Sequence, residues 1–137
     1  MHTSNALPAR GSSYLAYGLT GVLVLYSFAN VARALLAPTA FSGAMGLPTS
    51  PDNAFVPVYA IRTGFIALFA LFLLIRRDAA KLSAFAGMAV LMPIADAVLV
   101  GASGANTKYV VKHVVIAAFL AVTAALLARS SREGSER

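Results

Sequence analysis

Apolar residues run along this chain in four long blocks, at about 14–36, 55–75, 82–100 and 109–128. Each is close to the roughly 20 residues a helix needs to cross the hydrocarbon core of a bilayer. The pattern therefore predicts four membrane-spanning helices. The first block is longer than the roughly 7–15-residue apolar core of a signal peptide, and no clean cleavage site follows it, so it reads as a retained helix. The spans are rich in small residues, such as Gly18, Gly21, Ala84 and Gly87. Small residues let helices approach closely in lipid. The expected fold is all-α: an integral membrane four-helix bundle, antiparallel, occupying 14–128. Residues 1–13, polar with Pro8 and Gly11, read as a disordered lead-in, and 129–137 as a charged, disordered cytoplasmic tail.

The interruptions are unequal. The polar break Arg76–Lys81 is short, which predicts a hairpin of the second and third helices. Residues 101–108, GASGANTK, read as a turn. Residues 37–54 are much longer, and Gly43, Gly46, Pro48 and Pro51 predict an irregular loop that Pro38 opens by ending the first helix. Phe41, Met45 and Leu47 in this loop favour lying on the bundle mouth over free solvent. Long structured loops are often lids, and a plain connector is the alternative. Asp52 or Asn53 is placed to cap the second helix, and Pro57 is tolerated in its first turn.

Composition agrees with the blocks. Of 137 residues, 59% are hydrophobic and 12% charged, against about 25% charged in soluble domains. The chain has no cysteine, which excludes disulfides and thiolate chemistry. The net charge of +6 suggests a nucleic-acid partner only until the charges are placed. No basic face with interleaved aromatics exists outside the spans, so nucleic acid is excluded as a partner. Arg10, Arg76, Arg77, Lys81, Arg129, Arg132 and Arg137 flank one side of the spans, whereas Lys108 and Lys112 flank the other. Basic flanks mark the cytoplasmic side. Both termini are then expected inside, in a multi-pass protein of the membrane (plasma membrane, or inner membrane in a bacterium).

Polar residues inside the spans carry the candidate chemistry. Tyr26, Asn30 and Arg33 follow i, i+4, i+7 spacing and share a helical face. Arg62 interrupts the second span, where a charge costs about 2.5–3.5 kcal/mol on insertion scales unless it faces protein or water. Asp96 is the one carboxylate inside a span and the natural counter-ion of Arg62. At 1.5 Å rise per residue, Arg33, Arg62, Asp96 and His113 lie about 5–9 Å below the same outer surface. One layer predicts one site, built from Asn30, Arg33, Tyr59, Arg62, Asp96 and His113. A structural ion pair that fixes helix register is the competing reading of Arg62 and Asp96, and both readings can hold together. Excess positive charge in this layer attracts an anion. Tyr59 either extends the network or anchors the membrane interface. His113, oriented by Asp96, packs or serves as a proton-transfer base. His2 is the chain's other histidine and lies in the lead-in, so no metal site and no cofactor is expected. Two functions stay open. One is a binding or accessory protein with an outward-facing pocket for a small anionic or amphipathic ligand. The other is a small membrane enzyme, an isomerase or cyclase working by proton transfer with His113 and Asp96 as candidates. Besides the lipid bilayer and such a ligand, a second copy of the chain or a membrane partner protein stays open as a partner.

Four short patterns carry a resemblance over residues 14–128: the MGLP turn at Met45–Pro48, Tyr-x-x-Arg-x-Gly at Tyr59–Gly64, Pro-x-x-Asp at Pro93–Asp96, and His113. They resemble the DoxX-like four-helix membrane proteins. More closely, the chain is similar to a small family catalogued only as a domain of unknown function. The resemblance implies a four-helix bundle in a membrane and little about activity. DoxX-type proteins are similar to partners of membrane redox systems, but this chain lacks the cysteines that thiol chemistry uses.

Overall fold

A computed structural model of the chain describes residues 10–46 and 55–135, and these are all-helical. The helices are α1 (Arg10–Leu36), α2 (Pro38–Met45), α3 (Phe55–Ile75), α4 (Ala79–Ala89), α5 (Leu91–Ala102) and α6 (Thr107–Ser135). α4 and α5 meet end to end at Val90 and together make one apolar stretch. Four stretches are long and apolar enough to cross a membrane: Ser13–Leu36, Phe55–Ile75, Ala79–Ala102 and Thr107–Glu133.

The distribution of side chains is the reverse of a soluble protein's. The buried positions of α1 are Ala16, Thr20, Val24, Asn30 and Ala34, and those of α3 include Ala60, Thr63 and Ala67. The large residues point outward, among them Leu25, Ile61, Phe65, Met88, Leu91 and Val98. In water such a surface would drive association, since large exposed apolar patches mark interaction sites or aggregation hazards. In lipid it is the matching solvent, and the small inward residues bring backbones close. α3 packs on α1, and α4 and α5 pack on α6, which also touches α1.

The turns explain where each helix stops. After α3, the Asp78 amide donates to the Leu73 carbonyl and the Arg77 amide to that of Leu74. This is a Schellman ending, with Arg77 in the left-handed region at φ 52°. Asp78 then caps α4 by accepting from the Lys81 amide at 3.1 Å. The same pattern ends α5, with Gly104 left-handed at φ 73°. Asn106 opens α6 by accepting from the Lys108 amide at 3.1 Å. Within the third span, Pro93 has no amide to donate to Ala89, and the neighbouring bond from Ile94 to Val90 is long, at 3.4 Å. The break at Val90 follows.

Several expected boundaries shift. α1 starts at Arg10, so part of the expected lead-in is helical, and α6 continues through Ser135 rather than giving way to a disordered tail at Ala128. An i, i+4 pair between Arg129 and Glu133, at 3.2 Å, supports that extension. The third span runs from Ala79 to Ala102, so the turn after it is shorter than 101–108. The largest correction concerns 37–54. Pro38 ends α1 but also occupies the first turn of α2, where its missing amide costs nothing. Phe41, Ser42 and Met45 form the buried face of α2, and Gly46 stops it at φ 76°. Leu47, Pro48 and the Asp52 or Asn53 cap lie outside the described residues, as does His2.

Candidate functional site

Two apolar clusters brace the molecule at opposite ends. Ala16, Leu73, Leu82 and Leu127 pack together, with Tyr17 and Phe85 against them. Ala34, Phe41, Met45, Val56 and Ala60 form the other cluster, which joins α1, α2 and α3. Beneath this second cluster lies a cavity of about 130 Å³. Its length is lined by apolar side chains such as Ile66, Ala70, Phe85 and Leu120. At the end under α2 it is lined by Asn30, Tyr59, Arg62, Asp96 and His113.

Five of the six residues expected in one polar layer thus face one cavity. Arg33 is different: it is exposed and does not line it. Asn30 and Arg33 are three residues apart, about 60° around a helix, and that offset turns Arg33 off the buried face on which Asn30 is 2% exposed.

The polar groups are connected from roof to floor. α2 is held down by Phe41, 1% exposed, whose ring lies 5.0 Å from that of Tyr59. Lys112 on α6 donates to the Ala44 carbonyl at 3.3 Å and lies 3.3 Å from Met45 Sδ. Lys112 therefore ties α6 to the roof. Gly46 packs against Tyr109 so closely that a Cβ there would come within 2.7 Å of the ring. Below the roof, the Arg62 guanidinium sits 5.8 Å from the Tyr59 ring centre, within cation–π range. On its other side, Arg62 Nη2 is 3.8 Å from Asp96 Oδ1. This is an ion pair but too long for a hydrogen bond. Tyr59 is accordingly part of the network.

His113 completes the site. It is 5% exposed, and its Nε2 has no hydrogen-bond partner among the described residues. A buried polar atom left unpaired costs about 1–3 kcal/mol. The residue is one of those that line the cavity. Among the described residues, no group of three His, Asp or Glu side chains could hold a metal ion.

Reading the sequence for charged residues missed the rest of the lining. Thr20, Thr63 and Thr123 lie along the cavity. Their signal was the recurrence of Thr and Ala at helical spacing inside apolar spans. Thr20 and Thr123 donate to the carbonyls of Ala16 and Phe119 at 2.9 and 2.8 Å, so these hydroxyls are satisfied within their own helices.

Four spans around a cavity that is apolar along its length and polar at one end define a multi-pass membrane protein with an internal amphipathic chamber. A family model described as "Domain of unknown function (DUF4267)" matches residues 15–127, and the chain belongs to that family. No curated protein and no solved structure matches it.

Proposed function

We propose that the chain is a membrane binding protein whose cavity takes the head of a small amphipathic molecule, its anionic or oxygen-rich group between Arg62 and His113 and the first carbons of its apolar part toward Thr123. The observation that carries this reading is the polarity gradient of the cavity, with Arg62, Asp96 and His113 among its lining at one end only. A carboxylate there would accept from Arg62, compete with the long Arg62–Asp96 contact and give His113 Nε2 its missing partner. The ion pair's register role remains compatible with this, because the empty pocket also needs Arg62 neutralised.

The proposal includes the arrangement in the membrane: an antiparallel four-helix bundle, both termini cytoplasmic, with the α2-covered chamber on the non-cytoplasmic side. It rests on the excess of Arg and Lys flanking the other end. A reporter fused at the C-terminus should be active only in the cytoplasmic compartment. The wider likeness to DoxX-like four-helix proteins, an accessory role in a membrane system and association with a second copy or partner belong to this proposal as well.

The direct test is a titration in detergent with dodecanoate and with its uncharged methyl ester. Dodecanoate should bind more tightly, and Arg62→Gln should erase the difference. Equal weak partitioning of both, unchanged by Arg62→Gln, removes the pocket from the account.

The second reading, a small enzyme that isomerises or cyclises an amphipathic substrate, is favoured by one feature: buried His113 shares the cavity wall with Asp96, which suits proton transfer. His113→Gln separates the two readings. In a binding protein it weakens binding modestly. In an enzyme it abolishes turnover and leaves binding in place.

A further inference from the structure

The four spans do not close the chamber equally on all sides. α3 packs along α1, and α4 and α5 pack along α6. α3 approaches α4 near the Arg76–Asp78 turn, where Leu73, Leu82 and Phe85 meet, and makes no packed seam with α5. An ion pair and a ring contact cross this gap among the described residues. Near the roof it is Arg62–Asp96 at 3.8 Å. Further down it is Phe69–Phe85, edge to face with ring centres 5.1 Å apart. Between them, Ile66 on one side and Met92 on the other both line the cavity. Arg62 and Phe69 are seven residues apart, so the interval is about 10 Å along α3.

We propose that this interval is a lateral doorway. Through it the head of a single-chain amphiphile dissolved in the bilayer slides into the chamber, and the Arg62–Asp96 ion pair is its latch. The inference rests on the pocket reading above and adds the source and route of the ligand. Three observations carry it. First, the Arg62 side chain is 42% exposed although it lies within a span. A charge placed there meets the head of an incoming anion before the chamber does. Second, at about 130 Å³ the chamber is near the roughly 150 Å³ that admits one benzene. It holds a head and a few carbons, so a longer tail must trail out, and the doorway leads to lipid. Third, the doorway's far jamb is the broken helix. Pro93 and the loosened backbone at Val90 allow α5, which carries Asp96, to move relative to α4. The roof is a poorer route, because Phe41, Met45 and Lys112 pin α2 in place.

The chain has no cysteine, so the doorway can be bridged cleanly. Ile66→Cys and Met92→Cys together, joined by a bis-maleimide, would clamp α3 to α5. Protein in phosphatidylcholine vesicles is then photolabelled with a dodecanoate carrying a diazirine on a carbon close to its carboxylate, or with a diazirine-bearing benzoate supplied from water. Unbridged protein should be labelled in the cavity by dodecanoate, and bridging should remove most of that labelling while benzoate still labels. Dodecanoate labelling that survives the bridge overturns the doorway and leaves the pocket. No cavity labelling by either probe in the unbridged protein overturns the pocket and the doorway with it. Asp96→Asn tests the latch without a bridge. Labelling by dodecanoate should become faster, and an unchanged rate overturns the latch.

Discussion

The two ends of this molecule solve opposite problems with the same four spans. At one end Ala16, Leu73, Leu82 and Leu127 fill the space between helices, and the Tyr17 hydroxyl ties α1 to the Arg77 carbonyl at 2.8 Å. At the other end the helices stop filling the space. A short helix roofs it with Phe41 and Met45, and what lies beneath is a cavity lined by Arg62, Asp96 and His113. The difference teaches where stability and function reside. A bundle that only needed to stand in a bilayer would pack both ends like the first. Interior polar groups in lipid are expensive, and the roofed end keeps several of them around a cavity, the feature on which the proposed binding role rests.

The contrast breaks most easily at its packed end. Leu127→Ala, at a site with no exposed surface, should cost about 2–5 kcal/mol by leaving a void in a closed cluster. Reversible unfolding in mixed micelles measures it, and dodecanoate affinity should not change. Next comes the roof. Gly46→Ala puts a side chain at φ 76° and against the Tyr109 ring, and should cost about 1–3 kcal/mol as strained backbone does. Here the readout is local: a cysteine at Phe41 should react with a thiol reagent faster once the roof is loosened.

Much of this was legible in the sequence, for definite reasons. The Phe55–Ile75 span follows from apolar length alone, and the gathering of Asn30, Tyr59, Arg62, Asp96 and His113 follows from a helix's fixed rise. The roof helix was not legible. Eight residues are too few to form a stable helix by propensity, and PTAFSGAM reads as a loop until Phe41 and Met45 find α1 and α3. Arg33 shared its face with Asn30 on paper, yet a modest rotation separates buried from exposed. The cavity could not be seen at all. It depends on small residues of different helices, such as Ala67 and Ala70 on α3 and Ala86 and Ala89 on α4, lining one space, which spacing within one helix does not report.

Smaller effects sharpen the contrast. Arg62→Ala and Asp96→Ala should be non-additive by about 1 kcal/mol, near the low end for touching neighbours, because the pair is long and Arg62 half-exposed. Additive losses in a double-mutant cycle would mean the two do not interact. At the packed end, Arg77→Gly should raise stability by a few tenths of a kcal/mol, since glycine is the favoured residue at a left-handed helix ending. Smallest of all is the Asp78 cap. The Lys81 ammonium and amide hold its carboxyl below the usual carboxylate range. With a depressed folded value, its contribution is complete at neutral pH, begins to fade as the pH falls through the ordinary carboxylate range and is lost below it. In an acid titration of stability, Asp78→Asn should flatten that limb and leave the neutral region nearly unchanged.

The central claim is that the roofed end is a binding chamber and not a packing defect, and filling it tests that most directly. Ala67 is buried on the cavity wall, and Ala67→Leu should occupy the space. Native mass spectrometry of the protein released from vesicles loaded with dodecanoate reads the result. The account predicts a bound dodecanoate on the wild-type chain, none on Ala67→Leu, and equal or higher thermal stability for the filled variant in the absence of ligand. Dodecanoate retained equally by both proteins would contradict it.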